Sequence, residues 1–448
     1  MIESVRNAFA LPDLRRRILF TVGMLVIYRL VANIPVPGVD LQNWLLFTQQ
    51  ATGNRLIDFL DLLSGGAVSS FSVMAMGVYP YITASIIIQL LTPIIPYLEE
   101  LQSEGESGRN RINKITYYLT IPLAIVQAIG QIRLIGFSIG GLEAIMPHFG
   151  LGATDILPTI VTLIAMTGGT MFAMWLGELI TEQGIGQGVS LIIFGGIVSG
   201  IPGNLARLFA LPDTTAQIFT VLSFVVLTVV TVLVIVVVQE GQRRIPVQYG
   251  RRVRGRKVYQ GQSTHVPLRV NTAGMIPIIF AQSILTFPAL VAQFFITGNE
   301  GFLDRLAGWV NDQFGNANGF PYWFFYFLLV VGFTFFYTDV MVKQQKLPDT
   351  LQRQGGFIPG IRPGQKTDEY ITKVVRRITL AGALFLGIVA VLPGIMQLLG
   401  VLLNISGIEQ SVLVVSGSGL IIVVGVVIDT MRQLEAQLLM RHYEGFIK

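Results

Sequence analysis

Ten apolar stretches restrict this chain more than any other feature, at about 18–36, 71–97, 115–133, 155–175, 184–201, 217–238, 273–296, 321–339, 374–396 and 411–429. A lipid core about 30 Å thick takes about 20 helical residues to cross, and lipid offers no partner to an unpaired backbone N–H or C=O. The stretches therefore predict ten transmembrane helices and an all-α integral membrane fold. The fifth is the weakest, short and interrupted by glycines in "GIGQGVSLIIFGGIVSG". Composition agrees: 13% of residues are charged and 52% hydrophobic, against roughly 25% charged in a soluble domain. Cysteine is absent, which removes disulfides, thiolate metal sites and a cysteine nucleophile. His148, His265 and His442 all lie outside the apolar stretches, leaving no histidine pair for a metal or for acid–base chemistry inside a membrane. No cofactor is expected, and no enzymatic activity.

Arg15, Arg16 and Arg17 precede the first stretch like the basic start of a secretory signal, but apolar character runs on to Val36 without a small-residue cleavage site. The stretch reads as a retained span. Before it, "MIESVRNAFALPDL" places Ile2, Val5 and Phe9 on one side, which suits either a short interfacial helix or a disordered segment. Ten spans put both termini and alternate loops on one side of the membrane. That side carries 26 of the 31 Lys and Arg residues; the opposite set holds only Arg55, Arg133, Arg207 and Arg305, with Arg29 inside the first span. The positive-inside rule makes both termini cytoplasmic. The expected organisation is a cytoplasmic segment at 1–17, a first half of five spans at 18–201, an external connection at 202–216, a second half of five spans at 217–431 and a cytoplasmic tail at 432–448. An odd number of spans per half reverses the second half, which permits an inverted repeat with a pathway between the halves.

Two cytoplasmic connections, 239–272 and 340–373, are long and basic. The first, "EGQRRIPVQYGRRVRGRKVYQGQ", alternates apolar residues from Ile245 to Tyr249, passes through a Gly- and Arg-rich tip, and resumes at Val258 and Tyr259. That pattern predicts a projecting hairpin. In the second, "GGFIPGIRPGQ", Gly355, Gly356, Gly360 and Gly364 permit tight turns and Pro363 disfavours helix at Arg362, which should sit at an exposed bend. Contact with anionic lipid headgroups would account for part of this charge. A protruding tip better fits a large polyanionic partner, either ribosomal RNA phosphates or an acidic protein surface.

No Gly-Lys dipeptide occurs, so a standard phosphate-binding loop is excluded and the chain carries no motor of that kind. The "GIGQG" and "GSG" fragments fail dinucleotide spacing and suit close helix packing. Ser416 and Ser418 lack an intramembrane base. Ionisable groups within the spans are limited to Arg29, Asp339 and Asp429, fewer than a proton-coupled transporter places at midmembrane. A solute transporter and an intramembrane hydrolase remain the rival classes. A short apolar segment from Ile57 to Leu63 is separated from the second span by Gly65 and Gly66. It reads as a half-helix inside a protein-lined cavity or as a peripheral amphipathic turn.

Several strings are similar to one family: "SGGAVSSFSV", "PYITASIIIQLLTP", "EGESGRNRI", "TGGTMFAMWLGELITEQGIGQGVSLIIF", "EGQRRIPVQY", "STHVPLRVNTAGMIPIIFAQSI" and "GGFIPGIRPGQKTDEYI". Over nearly its whole length the chain resembles the SecY family of protein-conducting channel subunits, with the look of a cyanobacterial or plastid-type member. The resemblance implies an hourglass channel made by two inverted five-helix halves. Unfolded preproteins would cross through it, and transmembrane segments would leave sideways into lipid. It implies a pore ring at Ile82 and Ile86 in the second span, Val189 and Ile193 in the fifth, Ile279 in the seventh and Ile422 in the tenth; isoleucine is more usual at 189, so the collar is slightly looser there. It also implies a plug over about 57–70, including Ile57, Leu60, Leu63, Ser64, Gly65 and Gly66, and contacts to SecA or the ribosome through Arg251, Arg252, Arg254, Arg256, Lys257 and Arg362. The lateral gate, where signal sequences intercalate, would form between spans two and three on one side and seven and eight on the other. Implied partners are SecE, SecG, SecA, translating ribosomes and anionic lipids. The implied location is a cyanobacterial plasma membrane, with the thylakoid membrane as a second site.

A collar of branched apolar residues suits such a task. Burying an isolated charge there costs several kcal/mol or more, so ions are refused, while a moving chain meets no specific partner to bind. Ile82 and Ile86 are four apart and share a helix face, with Thr83, Ser85 and Gln89 beside them to meet a gate or a wet funnel.

Overall fold

The structure, a computed structural model, describes residues 11–40, 42–44, 64, 66–68, 70–139, 145–150, 152, 154–209, 214–249, 252–254, 257–259, 263–292, 295–296, 301–315, 319–345, 347–403 and 417–444. In chain order these form α1 (Pro12–Val31), α2 (Tyr79–Leu91), α3 (Pro96–Ser103), α4 (Glu106–Ile139), α5 (Ile156–Gln183), α6 (Gly188–Phe209) and α7 (Thr214–Glu240). Strands β1 (Gln242–Tyr249), β2 (Arg252–Arg254), β3 (Lys257–Tyr259) and β4 (Ser263–Arg269) follow. Then come α8 (Ile276–Ala292), α9 (Phe302–Val310) with a π-helical turn at Asn311–Gly315, α10 (Phe320–Gln345), α11 (Leu347–Arg353), β5 (Gly356–Phe357), α12 (Gln365–Leu403) and α13 (Gly417–Glu444).

Each of the ten apolar stretches carries a helix. Among the described residues, Glu106–Arg133, Ile156–Gln183, Phe320–Arg353 and Gln365–Ile395 are long and apolar enough to cross a membrane alone. Gly188–Pro202, Val225–Glu240 and Ile276–Ala289 are shorter apolar helices. Outward faces are greasy: Leu222, Val225, Val229, Leu233 and Val237 along α7, and Leu157, Ile160 and Ile164 along α5, are all exposed. Water would penalise such continuous apolar surface, and lipid accepts it.

The second stretch departs from its expected 71–97. Residues 66–68 and 70–78 form bends and turns around a single bridge at Ser72, and α2 begins only at Tyr79 with Pro80 in its first turn. It stops at Leu91, and the chain bends by 99° into α3. Pro93 and Pro96 explain the break: Ile95, preceding Pro96, has φ −98° and ψ 110°, the extended conformation such a position favours.

By packing density the chain divides into two compact units, each assembled from separate stretches. The first contains Met1–Gln217, Gln282–Tyr322 and Val426–Lys448; the second contains Ile218–Ala281 and Trp323–Gly425. In the first unit, Val36, Trp44, Val68, Phe71, Met76, Ala128, Ile132 and Met166 form one buried cluster, while Leu14, Ile185 and Leu434 form another. Gly169 shows why its position on α5 stays small, since a Cβ there would lie 2.0 Å from the Val73 carbonyl oxygen. The glycine-rich junction of α5 and α6 packs as the sequence implied: a Cβ on Gly188 would lie 1.8 Å from the Gly177 carbonyl oxygen.

In the second unit, β1 and β4 pair antiparallel from Gln242↔Arg269 to Gln248↔Ser263, and β2 pairs with β3 beyond them; a hairpin forms as expected, but the return arm against β1 is Ser263–Arg269, while Val258 and Tyr259 pair with Val253 and Arg252 nearer the tip. β5 pairs with β1 through Gln248↔Phe357 and Tyr249↔Gly356. The two long basic connections are thus one three-stranded sheet in the order β4-β1-β5. Beneath it, Ile245, Val247, Leu268, Leu351, Ile358, Ile371, Val374 and Val375 are buried together. Pro246 is tolerated in β1 because β5 reaches only Gln248 and Tyr249, leaving β1 with a single neighbour at that point.

Candidate functional site

Of the six aliphatic residues expected to form a ring, five are buried and one is partly so. Ile82, Ile86, Ile193, Ile279 and Ile422 are between 1% and 7% exposed, and Val189 is half-buried. A Cβ on Gly177 of α5 would come within 3.2 Å of Val189 Cγ2, so the valine packs on bare backbone there. In the first unit, α2 supplies Ile82 and Ile86 and α6 supplies Val189 and Ile193; in the second unit, α8 supplies Ile279 and α13 supplies Ile422. None of them faces outward as a lipid-contacting residue would.

The polar residues beside Ile82 are held in a chain of hydrogen bonds within the first unit. Thr83 Oγ1 donates to the Tyr79 carbonyl at 3.1 Å, and Gln127 Nε2 of α4 donates to Thr83 Oγ1 at 3.2 Å. Gln89 Nε2 donates to Ser85 Oγ at 3.0 Å. Tyr79, at the start of α2, donates its hydroxyl to the Ser283 carbonyl of α8 at 3.1 Å, and Gln282 Nε2 donates to the Tyr322 hydroxyl at 2.8 Å. Gln127 Oε1 and Ser283 Oγ are buried without a hydrogen-bond partner among the described residues. Each such orphan costs about 1–3 kcal/mol, so this seam is held less firmly than an apolar contact of the same area. Sequence reasoning missed Tyr79, Gln127 and Ser283. Their signal was available in part, as polar side chains recurring inside membrane-length helices.

Of the residues expected to form a plug, Ile57, Leu60, Leu63 and Gly65 lie outside the described residues, while Ser64 and Gly66 lie within them. The segment from 64 to 73 is fastened to the far end of α1. Tyr28 donates its hydroxyl to the Ser64 carbonyl at 2.6 Å, Ser70 Oγ to the Ala32 carbonyl at 2.8 Å and Ser72 Oγ to the Val31 carbonyl at 3.2 Å. Backbone bonds from Val36 N to the Phe71 carbonyl and from Val73 N to the Ile34 carbonyl complete the attachment. Phe71 has φ +42°, a conformation bulky residues avoid, and its ring is locked edge-on against Trp44 at 4.9 Å. Gly66 has φ +83°, and a Cβ there would lie 2.7 Å from Arg29 Nη1. Arg29, the basic residue left inside the first span, therefore lies against this segment.

In the loop sheet, Arg252, Arg254 and Lys257 fall on β2 and β3, while Arg251 and Arg256 lie outside the described residues, as do the N-terminal residues Ile2, Val5 and Phe9 and the serine at 416. Arg362 is exposed at the bend that follows β5. The bend is fixed by Thr367 Oγ1 donating to the Arg362 carbonyl at 2.9 Å and by Ile361 N donating to the Ile358 carbonyl at 3.0 Å. Gly360 and Gly364 have φ +81° and +103°, conformations that favour glycine. Arg243, Arg244, Arg269 and Arg353 are also exposed, extending the basic surface to the base of the hairpin. Asp339 and Asp429, the acidic residues within the apolar stretches of the sequence, approach Arg376 at 3.8 Å and Arg432 at 4.0 Å. Among the described residues no cluster of His, Asp and Glu is arranged to hold a metal.

The SecY family profile matches residues 72–431. The protein translocase subunit SecY of Halalkalibacterium halodurans is 41% identical, and that of Streptomyces coelicolor 42% identical, each over 100% of both chains. Among solved structures, one concerned with the plug domain of SecY, described as stabilising the closed state of the translocation channel and maintaining a membrane seal, aligns with a TM-score of 0.60 at 17% identity over 94% of this chain and 91% of that one. Sec61 from a canine ribosome–channel complex aligns with a TM-score of 0.58 at 16% identity, over 94% and 91%. At these identities the solved structures speak to fold. The profile match and the full-length identity to curated relatives establish that the chain belongs to the SecY family.

Proposed function

We propose that this chain is the central channel-forming subunit of a Sec translocon. It passes unfolded polypeptides across a membrane and releases transmembrane segments sideways into lipid, and it is driven by SecA or a ribosome rather than by chemistry of its own. The observation that carries the reading is the burial of Ile82, Ile86, Ile193, Ile279 and Ile422, with Val189 half-buried, in a chain whose spans elsewhere expose long apolar faces. Family membership supports assigning those residues to a constriction, and the charge count supports ten spans with both termini cytoplasmic in two inverted halves. The sheet that joins the two basic connections supports a single docking platform for SecA or for ribosomal RNA, with Arg362 and the β2–β3 tip as its contact points. SecE and SecG as companions, the cyanobacterial or plastid-like subtype, and placement in plasma and thylakoid membranes rest on the sequence resemblance. The Tyr79–Ser283 bond, between the second and seventh spans, is the closed latch of the lateral gate in this reading.

Crosslinking tests it. Photoreactive probes at positions 82 and 279 should both capture a stalled nascent chain. A chain captured at the outward position 229 but at neither of these would refute the constriction.

A further inference from the structure

The nine-residue helix α9 is amphipathic in the wrong sense for water. Phe302, Leu306 and Trp309 follow the spacing that puts them on one face, bordered by Leu303. That face points outward: the four side chains are 78%, 48%, 61% and 62% exposed. The opposite face carries Asp304, Ala307 and Gly308, of which Ala307 is buried and the other two are half-buried. A helix on a soluble surface turns its bulky apolar side inward and its charges out. Here the small and charged side meets protein.

Position in the chain says what covers the apolar face. The π-helical turn continues from α9, and only residues 316–319 separate it from the membrane-length helix α10, a reach of about 14 Å when extended. Phe320, the first residue of α10, is also strongly exposed. Helix α9 is thus tethered at the level where a spanning helix meets the membrane surface, and Trp and Phe favour that level.

We propose that α9 is a lipid-surface anchor, lying in the plane of the bilayer with Phe302, Leu303, Leu306 and Trp309 inserted about 5–10 Å into the headgroup and upper acyl region. It would fix the connection between α8 and α10 at the membrane surface. The occupant of the exposed face is phospholipid, because α9 leads within ten residues into the strongly exposed Phe320 that opens a membrane-length helix. This rests on the membrane reading above, and the test separates the two.

The chain has no cysteine, so single-cysteine variants accept an environment-sensitive fluorophore cleanly. Leu306→Cys, Leu303→Cys, Arg305→Cys and Val229→Cys would be labelled in the full chain, reconstituted into phosphatidylethanolamine–phosphatidylglycerol vesicles. Nitroxide lipids carrying the quencher near the headgroup or near the chain end, and aqueous iodide, then report depth. Labels at 306 and 303 should be quenched several-fold more by the shallow nitroxide than by the deep one and lose most of the iodide quenching seen at 305. The label at 229, on α7, should respond to the deep nitroxide. Iodide access at 306 equal to that at 305 would overturn the anchor, and so would a label shielded from iodide yet unquenched by either nitroxide, which would mean a protein partner covers the face. Either result with deep quenching retained at 229 leaves the membrane reading intact; loss of quenching at 229 as well would overturn both.

Discussion

Replacing Tyr79 with Phe removes one oxygen atom and leaves the buried ring in place, which makes it a clean probe of the latch between α2 and α8. The 3.1 Å bond to the Ser283 carbonyl is the lost interaction. Ser283 sits inside α8, so its carbonyl can keep a helical partner, and phenylalanine leaves no stranded donor. The net loss should therefore be that of an ordinary hydrogen bond, about 0.5–1.5 kcal/mol, which raises the open-to-closed ratio about twofold to tenfold. The assay is SecA-driven import into vesicles of two precursors, one with an intact and one with a defective signal sequence. The defective-to-intact rate ratio should rise by that factor in Tyr79→Phe, with little change in the thermal midpoint of the purified channel. A lower midpoint with an unchanged ratio would mean the bond only holds the fold together, and an unchanged ratio and midpoint would mean the hydroxyl is not a latch at all.

The other perturbations test different parts. Ile86→Asn, or Ile422→Asn, puts an amide at a site 2% exposed; it should increase ion conductance and pass precursors with defective signals, whereas unchanged conductance and stringency would remove these residues from the collar. Arg362→Glu changes an exposed side chain and should leave stability within about 0.5 kcal/mol, while SecA-driven export falls sharply; normal export kinetics would refute its role. Gly356→Val adds bulk where a Cβ already meets Tyr249 Cε1 at 3.1 Å and Val247 Cγ1 at 3.2 Å. It should detach β5 from β1, seen as faster amide exchange over 354–364, and lower export in proportion; exchange unchanged from the parent would show that the pairing tolerates the bulk. Gly169→Ala, facing the Val73 carbonyl oxygen, should cost about 1–3 kcal/mol or more of stability because backbone must move, measured as a lower thermal midpoint; a midpoint equal to the parent's would show that the turn at 70–78 is pliable.

How much of this was legible in the sequence depended on the range of the interactions. The helices of the apolar stretches were, because a membrane span is a local property of about 20 residues. A hairpin in the first basic connection was as well, since alternation around a Gly- and Arg-rich tip is a local signal, but its return strand β4 was not, because Val258 and Tyr259 pair with β2 instead. The partnership of β1 with β5 was not either: Tyr249 and Gly356 are far apart in sequence, and a two-residue strand has no periodicity to read. The second stretch was overextended because hydropathy does not register that Phe71 to Val78 are turns, apolar but bound by backbone and serine hydrogen bonds to the end of α1. Arg29 is the converse case. Its charge inside a span was visible, but the reason for it, a close approach to Gly66, emerged only in three dimensions.

In the proposed mechanism the collar and the latch work on different energy scales, and the difference would give the channel its selectivity. An ion at the apolar ring faces a penalty of several kcal/mol or more. The proposed latch would be worth about 1 kcal/mol, and beside it Gln127 Oε1 and Ser283 Oγ are buried without a partner among the described residues. Burying one leucine-sized side chain contributes about 1.5–3 kcal/mol, so an intercalating segment needs only a few apolar residues to outweigh the latch, whereas a polar segment gains nothing by entering. It follows that Tyr79→Phe should matter most for signals near the threshold. Across a series with leucines replaced stepwise by alanine, the mutant should shift the half-maximal hydrophobicity by less than one leucine while leaving strongly apolar signals unaffected. A uniform gain across the series would place the effect at the collar instead of the gate.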